Sequence, residues 1–176
     1  MIIGGAGSGK STLAREIGDK TGLPVIHIDP MYWSPGWVQR PAAETMALSL
    51  EAAARPEWVF EGNHSASMAA RIERADTFIF LDIPTPLRLW RVVVRTIKHY
   101  GRSRPDMPPG CSERFDWEFL KFVANYGKNG RLRALDLMQS LPPHLDVFHL
   151  KNRGDVEAFL KNLSKPNAST RKVEAA

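Results

Sequence analysis

A phosphate-binding loop is predicted near the start of the chain, where the sequence reads Gly4-Gly5-Ala6-Gly7-Ser8-Gly9-Lys10-Ser11-Thr12. The small residues allow successive backbone N–H groups to close around phosphate oxygens, and a helix beginning at Lys10 adds the positive end of its dipole. Lys10 can reach the β- and γ-phosphates of a nucleoside triphosphate, and the Ser11 hydroxyl can bind Mg²⁺. A dinucleotide-binding loop would require a further glycine where Thr12 stands. The pattern therefore predicts a nucleoside-triphosphate site.

Three carboxylates are placed where parallel strands are predicted to end, at the edge of the sheet that faces ligands in such folds. Asp29 can orient an acceptor hydroxyl or take its proton, and Trp33 can line the same pocket. Glu61 and Asp82 can hold Mg²⁺ through its bound water, because oxygen ligands suit this cation. The alternatives are an Asp-Pro turn for Asp29, a cap or turn for the other two, and packing on a helix for the tryptophan.

Alternating apolar runs and helix-like segments predict the elements that position these residues. Five runs rich in Val, Ile, Leu and Phe predict parallel strands buried on both faces: Met1–Ile3, Val25–Asp29, Trp58–Glu61, Thr77–Ile83 and Asp146–Leu150. The predicted helices are Lys10–Lys20, Ala42–Arg55, Ser65–Arg74, Leu87–Tyr100, Asp116–Ser140 (broken near Gly127 and Gly130) and Asp155–Leu163. The alternation predicts an α/β domain with a parallel sheet.

Length and composition indicate one globular unit. The 176 residues correspond to about one domain, which we expect to span 1–163, with a flexible polar tail at 164–176. Cys111 is the only cysteine, so no disulfide framework can form, and a reducing compartment is favoured. No apolar run reaches the ~20 residues needed to cross a bilayer, and no signal-peptide pattern is visible. We therefore expect a cytoplasmic protein that does not bind membranes.

The surplus of positive charge is concentrated in one segment. The chain carries 24 Lys and Arg against 19 Asp and Glu. Between Ile83 and Pro105 there is no acidic residue, and the cations are Arg88, Arg91, Arg95, Lys98, Arg102 and Arg104. Such a block indicates a phosphate-bearing partner, either a nucleotide or a nucleic acid. Helical spacing places most of these cations on one face, and we expect the opposite face, with Trp90, Val93, Val94 and Ile97, to belong to the core.

Missing motifs narrow the class of nucleotide-binding protein. No Asn-Lys-x-Asp sequence is present to recognise guanine, and Ile83 rather than Glu follows Asp82. GTPases and motor ATPases are therefore disfavoured relative to small phosphotransferases, which need an acceptor site and a closing lid. The segment Gly101–Glu113 is rich in proline and glycine and cannot form a regular element, so we expect it to form that lid.

Several longer motifs resemble the nucleoside-monophosphate kinase superfamily, which includes adenylate, shikimate and gluconate kinases. They are His27-Ile28-Asp29, Glu61-Gly62-Asn63-His64-Ser65, Leu81-Asp82-Ile83-Pro84, Arg104-Pro105-Asp106-Met107 and Phe115-Asp116-Trp117-Glu118-Phe119-Leu120. The chain is most similar to adenylate-kinase-related proteins that bear the name DNA topology modulation proteins. The resemblance implies a three-layer P-loop fold, five parallel strands in the order 2-3-1-4-5, an acceptor-binding region at about 30–75 and a lid at about 101–116.

The resemblance also implies an ATP- and Mg²⁺-dependent transfer of the γ-phosphoryl group to a small acceptor, either a nucleotide or a hydroxyl-bearing metabolite. The expected catalytic residues are Lys10, Asp29, Arg95, Arg104 and Arg131. ATP binding is expected from Gly5, Ala6, Gly7, Ser8, Gly9, Lys10, Ser11 and Thr12, acceptor binding from Asp29, Trp33, Asn63 and Arg91, and metal binding from Ser11, Glu61 and Asp82. Glu61 departs from the family pattern, which commonly has Asp there.

Alternative functions and assembly states stay open at this point. The chain could instead be an ATP-binding regulatory protein associated with nucleic acid, without activity on small molecules. Direct nucleic-acid binding is not expected, because no recognised nucleic-acid module is present. A monomer and a homodimer are both compatible with the sequence.

Overall fold

A computed structural model describes residues 1–104 and 106–163, so the predicted flexible tail at 164–176 lies outside the described residues. The strands are β1 (Ile2–Gly4), β2 (Val25–His27), β3 (Trp33–Ser34), β4 (Val38–Gln39), β5 (Val59–Glu61), β6 (Thr77–Leu81) and β7 (Asp146–Leu150). The helices are α1 (Lys10–Thr21), α2 (Asp29–Tyr32), α3 (Ala42–Ala53), α4 (Met68–Arg74), α5 (Thr85–Lys98), α6 (Trp117–Asn125), α7 (Gly130–Gln139) and α8 (Arg153–Asn162). No helix in the described ranges has the length and hydropathy needed to cross a membrane.

The main sheet has five parallel strands in the order β2-β5-β1-β6-β7. When only the strands of this sheet are counted, the order is 2-3-1-4-5, and the predicted α/β class is confirmed. Strand β1 lies in the middle, with Ile2 in register with Glu61 on one side and Ile79 on the other. The phosphate-binding loop therefore leaves the centre of the sheet at the carboxyl edge, where ligands bind in such folds.

Alternating side chains of the strands pack against helices on both faces, which gives three layers. Ile2 and Ile79 belong to a core cluster with residues of α1 and α8. Ile3 and Phe80 point to the other face and pack with residues of α4 and α7. Burial on both faces explains why these strands are unbroken apolar runs rather than alternating polar and apolar sequences.

The segment after β2 departs from the prediction. The strand ends at His27, and Asp29 begins the four-residue helix α2 instead of ending the strand. Pro30 can occupy the second position of this helix because its missing N–H would have no partner there. The chain then forms a short antiparallel hairpin of β3 and β4, which the sequence analysis did not predict. This hairpin carries the side chain of Trp33.

The basic helix α5 is oriented opposite to the prediction. Arg88 and Val92 are buried, whereas Trp90 is 66% exposed and Ile97 is 70% exposed. Val94, also predicted to belong to the core, is exposed as well. The core assignment of these three apolar residues is therefore wrong, because the helix turns its basic side towards the interior.

The buried guanidinium of Arg88 explains this orientation. It donates to the carbonyl oxygens of Ile83 at 3.0 Å and Ala6 at 3.3 Å, and to the Thr85 hydroxyl at 2.9 Å. Its central carbon also lies 4.8 Å from the centre of the Tyr126 ring. A charged group with these partners can be buried without leaving donors unsatisfied.

Polar substitutions on the outward face of α5 test this orientation. Ile97→Gln is expected to change the free energy of unfolding by less than about 0.5 kcal/mol, because the side chain is already in water. Val92→Ala, on the buried face of the same helix, is expected to lower it by about 2 kcal/mol through lost burial and a cavity. Urea unfolding of both variants measures this. A larger loss for the Ile97 variant than for the Val92 variant would contradict the orientation.

Candidate active site

The phosphate-binding loop joins β1 to α1 and is shaped by close contact with α5. Gly7 has a φ of 78°, and a Cβ atom there would lie 2.5 Å from the backbone oxygen of Arg88. Only glycine fits such a left-handed position with so little space. Lys10 follows the loop, and its Nζ donates to the Gly5 carbonyl oxygen at 3.3 Å. The lysine is thus folded over the loop in the position from which it can contact phosphate.

Two arginines of α5 hold the backbone of this loop. Arg88 donates to the Ala6 oxygen, as described above, and Arg91 Nη1 donates to the Ser8 oxygen at 3.1 Å. The sequence analysis assigned Arg91 to the acceptor, but the structure places its side chain against the phosphate loop. The basic face of the helix therefore supports the loop directly.

The loop after β5 is tied to the start of the phosphate loop. The Asn63 side chain accepts from the Gly4 N–H at 3.1 Å and donates to the Gly4 oxygen at 2.7 Å. The fully buried Arg71 donates to the oxygens of Gly62 at 2.9 Å and His64 at 3.0 Å. Asn63 was predicted to bind the acceptor, yet its amide is engaged with Gly4. The sequence offered no signal for Arg71, which occurs in an ordinary amphipathic helix.

A buried carboxylate lies beside the proposed metal-binding hydroxyl. Ser11 Oγ donates to Glu61 Oε1 at 3.0 Å, and His27 Nδ1 lies 2.6 Å from the same oxygen. Burial raises the pKa of Glu61, but His27, Lys10 and Ser11 outweigh it and hold the pKa below its ordinary value. Glu61 is therefore ionised and next to Ser11, as a metal site would require. His27 was not predicted as a site residue, although it stands in one of the motifs that carry the family resemblance.

The lid brings further charges to the same place. Arg104 pairs with Asp106 at 2.8 Å and with Glu113 at 2.6 Å, and Arg95 lies 3.4 Å from Glu113. Burial raises the pKa of Asp106, but Arg104 and smaller effects that include His27 and the Ser11 hydroxyl lower it overall. Asp106 therefore lies near Ser11 and His27. Neither carboxylate was predicted as a site residue, although Asp106 stands in a motif that the sequence analysis noted.

Asp29, the first residue of α2, is a half-buried carboxylate close to this group. Its pKa is raised, first by burial and then by the charge of Glu61, while Lys10 and Arg104 act in the opposite direction. These long-range effects place Lys10, Glu61, Arg104 and Asp29 in one electrostatic environment. The structure thus brings together the predicted lysine, the predicted acceptor carboxylate and a predicted cation of the lid.

The segment predicted to form the lid contacts the hairpin that follows Asp29. The Gly36 N–H donates to the Gly110 oxygen at 3.2 Å, and Trp37 Nε1 donates to the Ser112 oxygen at 2.9 Å. Cys111 Sγ lies 3.3 Å from the Ser34 oxygen. The rings of Trp33 and Trp37 meet edge to face at 5.5 Å. This lid–hairpin contact joins the predicted lid to the segment that follows Asp29.

Asp82 and Arg131 occupy a different part of the site. Arg131 contacts both carboxylate oxygens of Asp82 at 2.8 to 3.0 Å, and His149 Nε2 lies 2.9 Å from Oδ2. Burial raises the pKa of Asp82, but these two partners lower it overall. The pair borders a cavity of about 310 Å³ whose lining also includes Thr85, Arg88, Tyr126 and Lys151. The carboxylate oxygens of Asp82 therefore already contact Arg131 and His149, whereas a metal ligand would need a free oxygen.

Comparisons with solved structures agree with this architecture. No protein-family model matches the sequence, and a search of curated proteins found no match. Shikimate kinase from Acinetobacter baumannii, solved with shikimate, has a TM-score of 0.52 at 14% identity, covering 91% of this chain and 87% of that one. Shikimate kinase from Bacteroides thetaiotaomicron has a TM-score of 0.52 at 19% identity, covering 91% and 92%.

The chain therefore shares the fold of these two solved structures, with five parallel strands and a glycine-rich loop after the central strand. At this level of identity the comparisons define the fold alone. The narrower resemblance to proteins named DNA topology modulation proteins is not confirmed by them.

The raised pKa of Asp29 predicts how the stability of the protein changes with pH. The folded chain binds the Asp29 proton more tightly than the unfolded chain, so stability is lost as the pH rises through the folded-state pKa. Asp29→Asn removes this loss, and we expect the variant to be more stable than the original chain at pH 7. The difference should shrink in acid. Urea unfolding at several pH values measures it.

Asp19→Asn provides the matched control, because Asp19 is exposed on α1 and the substitution makes the same change in charge. It is expected to leave stability unchanged. An Asp29→Asn variant that is less stable at pH 7 would contradict the unfavourable burial of this carboxylate.

Proposed function

We propose that this protein is a small-molecule kinase that transfers the γ-phosphoryl group of Mg-ATP to an acceptor bound beside Asp29. The observation that carries the proposal is the convergence of Lys10, the Ser11–Glu61 pair, Asp29 and Arg104 at the carboxyl edge of one sheet. These are the parts that phosphoryl transfer needs: a phosphate cradle, a metal position, an acceptor carboxylate and cations.

The nucleotide is proposed to lie along the phosphate loop. Residues Gly5 to Thr12 would hold its phosphates through backbone N–H groups and the lysine. The cavity bordered by Asp82, Arg131 and Lys151 is next to α5 and the end of β7, and we assign it to the adenosine moiety. Arg131 would then contact the nucleotide from this side instead of acting at the acceptor.

The residues present fit magnesium. Among the described residues, no group of three or more His, Cys, Asp or Glu side chains is arranged to hold a metal alone. Mg²⁺ suits such a site, because it keeps several waters and usually takes one or two protein oxygens together with phosphate oxygens. Ser11 and Glu61 would provide those oxygens. Once bound, the cation would neutralise charge on the β- and γ-phosphates.

Asp29 would act as the base in the transfer. The acceptor oxygen forms a bond to the γ-phosphorus, the bond from that phosphorus to the β-bridging oxygen breaks, and ADP leaves with this oxygen. The acceptor proton passes to the Asp29 carboxylate. A raised pKa makes this carboxylate a stronger base than an exposed aspartate.

Arg95 and Arg104 would stabilise the charge that spreads over the transferred group. Nε of each is ion-paired with Glu113 Oε1, at 2.6 Å for Arg104 and 3.4 Å for Arg95, so each would exchange this partner for oxygens of the transferred group. Closure of the predicted lid would exclude water, which would otherwise compete with the acceptor for the phosphoryl group.

Lys10→Ala tests the nucleotide site. We expect its affinity for Mg-ATP, measured by calorimetry, to fall by about 10-fold or more, because a charge-assisted phosphate contact is lost. Lys20→Ala, at the exposed end of the same helix, is the matched control and should bind as the original chain does.

ADP formation over a panel of hydroxyl compounds and nucleotides then tests the transfer. Stimulation by one acceptor, lost in the Lys10 variant, would support the proposal. Binding of Mg-ATP without stimulation by any acceptor would favour a regulatory role, and failure of the intact chain to bind it would overturn the proposal.

A further inference from the structure

The outward face of α5 carries a stripe of apolar side chains that no other element in the described part of the chain buries. Its members are Leu87, Trp90, Val94, Ile97 and, just beyond the helix, Tyr100, and they are between 40% and 70% exposed. The first four are three or four residues apart, so they lie along one side of the helix. We call these five residues the α5 stripe. A contiguous apolar surface that stays in water marks an interaction site.

The size of the α5 stripe fits an interface between two protein chains. Large side chains have about 150–250 Å² of surface each, so five that are roughly half exposed present about 500 Å² in total. Homodimer interfaces are about 65% apolar. A contact of about 800 Å² per chain would therefore enclose the stripe, and this is the area that a stable interface buries on each partner.

The residues that follow α8 are not suited to cover this surface. Residues 164–176 include one large apolar residue, Val173, which cannot fill a stripe formed by five side chains. Their cations, Lys165, Arg171 and Lys172, would also meet a helix that is itself basic, and like charges repel. A second copy of the chain is the occupant that the following two features favour.

The order of residues along the α5 stripe is self-complementary. When two copies of a helix pair in opposite directions about a two-fold axis, residues at equal distances from the axis face each other. Trp90 and Val94 are each two residues from the level of Val92, and Leu87 and Ile97 are each five residues from it. Trp90 of one chain therefore meets the partner's Val94, which places a large side chain against a small one. Leu87 meets the partner's Ile97 in the same way.

This opposite orientation also keeps the cations of the two helices apart. Arg88, Arg91 and Arg95 turn towards the interior, where they contact the phosphate loop or Glu113. Lys98 is the one exposed cation of α5, and two helices in opposite directions would hold their Lys98 side chains about 18 Å apart along the axis. In a parallel pair the two lysines would lie side by side, which is unfavourable.

We propose that this protein forms a homodimer in which the α5 stripes of two chains pair in opposite directions about a two-fold axis at the level of Val92. The proposal does not depend on the proposed kinase function. The other side of α5 holds the phosphate loop through Arg88 and Arg91. The two phosphate loops of the dimer would therefore lie on opposite sides of the paired helices.

Sedimentation of the full chain over a range of concentrations tests the assembly. We expect a change from monomer to dimer as the concentration rises through the micromolar range. Trp90→Glu is expected to weaken the dimer by about 100-fold or more, because a tryptophan is lost from each half of the contact and a charge replaces it. Leu132→Glu makes a similar change at an exposed apolar residue of α7 and should leave the dimer intact.

Both variants are expected to fold, because each substitution is at a side chain that is mostly in water in the single chain. Circular dichroism and urea unfolding check this. A chain that stays monomeric at every concentration would overturn the proposal, and so would a dimer that Trp90→Glu leaves unchanged. Binding of the monomer to vesicles of phosphatidylcholine and phosphatidylglycerol, lost in Trp90→Glu, would assign the stripe to a membrane and overturn the second copy as its occupant.

Disulfide cross-linking tests the orientation of the helices. Position 90 of one chain would lie against position 94 of its partner, so a mixture of Trp90→Cys and Val94→Cys chains should cross-link mainly between the two variants. A size tag on one variant separates these products from the others, and Cys111 is buried and does not compete. More cross-linking within either variant alone than between the two would overturn the proposed orientation.

Discussion

The burial of the Arg88 guanidinium is the interaction on which the arrangement of this site depends. Its donors bind two carbonyl oxygens, that of Ile83 after β6 and that of Ala6 in the phosphate loop. These bonds fix α5 against the loop and set its rotation. Arg91 and Arg95 then follow on neighbouring positions, the first on the loop and the second beside the lid. One buried cation therefore fixes the whole basic helix relative to the phosphate loop.

The second level of organisation is electrostatic. Four carboxylates and several cations share a small, largely buried volume, and each ion pair offsets part of the desolvation of its members. Buried pairs of this kind contribute little to net stability compared with apolar side chains. Here Glu61 and Asp106 lie towards the phosphate loop, and Glu113 lies towards the lid.

The sequence allowed the frame of the molecule to be predicted, because the frame follows from local patterns. The apolar runs gave the parallel strands, and the glycine-rich motif located the phosphate loop between β1 and α1. The order of the strands came from the family resemblance. The rotation of α5 could not be predicted from periodicity, because the spacing defines a basic face with Arg88 and an apolar face with Trp90 equally well. Which of the two faces is buried depends on tertiary contacts.

Side-chain partners were the least predictable part of the site. Asn63 was identified as a site residue, but its contact with Gly4 depends on the meeting of two distant loops. Asp82 directly follows β6 at the edge where a metal ligand was predicted, yet Arg131, 49 residues later, contacts its oxygens. Glu113 looked like an ordinary charged residue at the end of an irregular segment. Such pairings join residues far apart in sequence, and a single sequence carries no signal for them.

The lid–hairpin contact has a consequence for how this protein can diverge. All three acceptors in that contact are main-chain oxygens, at Gly110, Ser112 and Ser34. Ser112 and Ser34 contribute no side-chain atom to it, so substitutions there leave the acceptors in place. Residues 34 and 112 can therefore be exchanged over evolution without loss of the lid–hairpin contact, because its acceptors follow the path of the backbone and not the identity of these side chains.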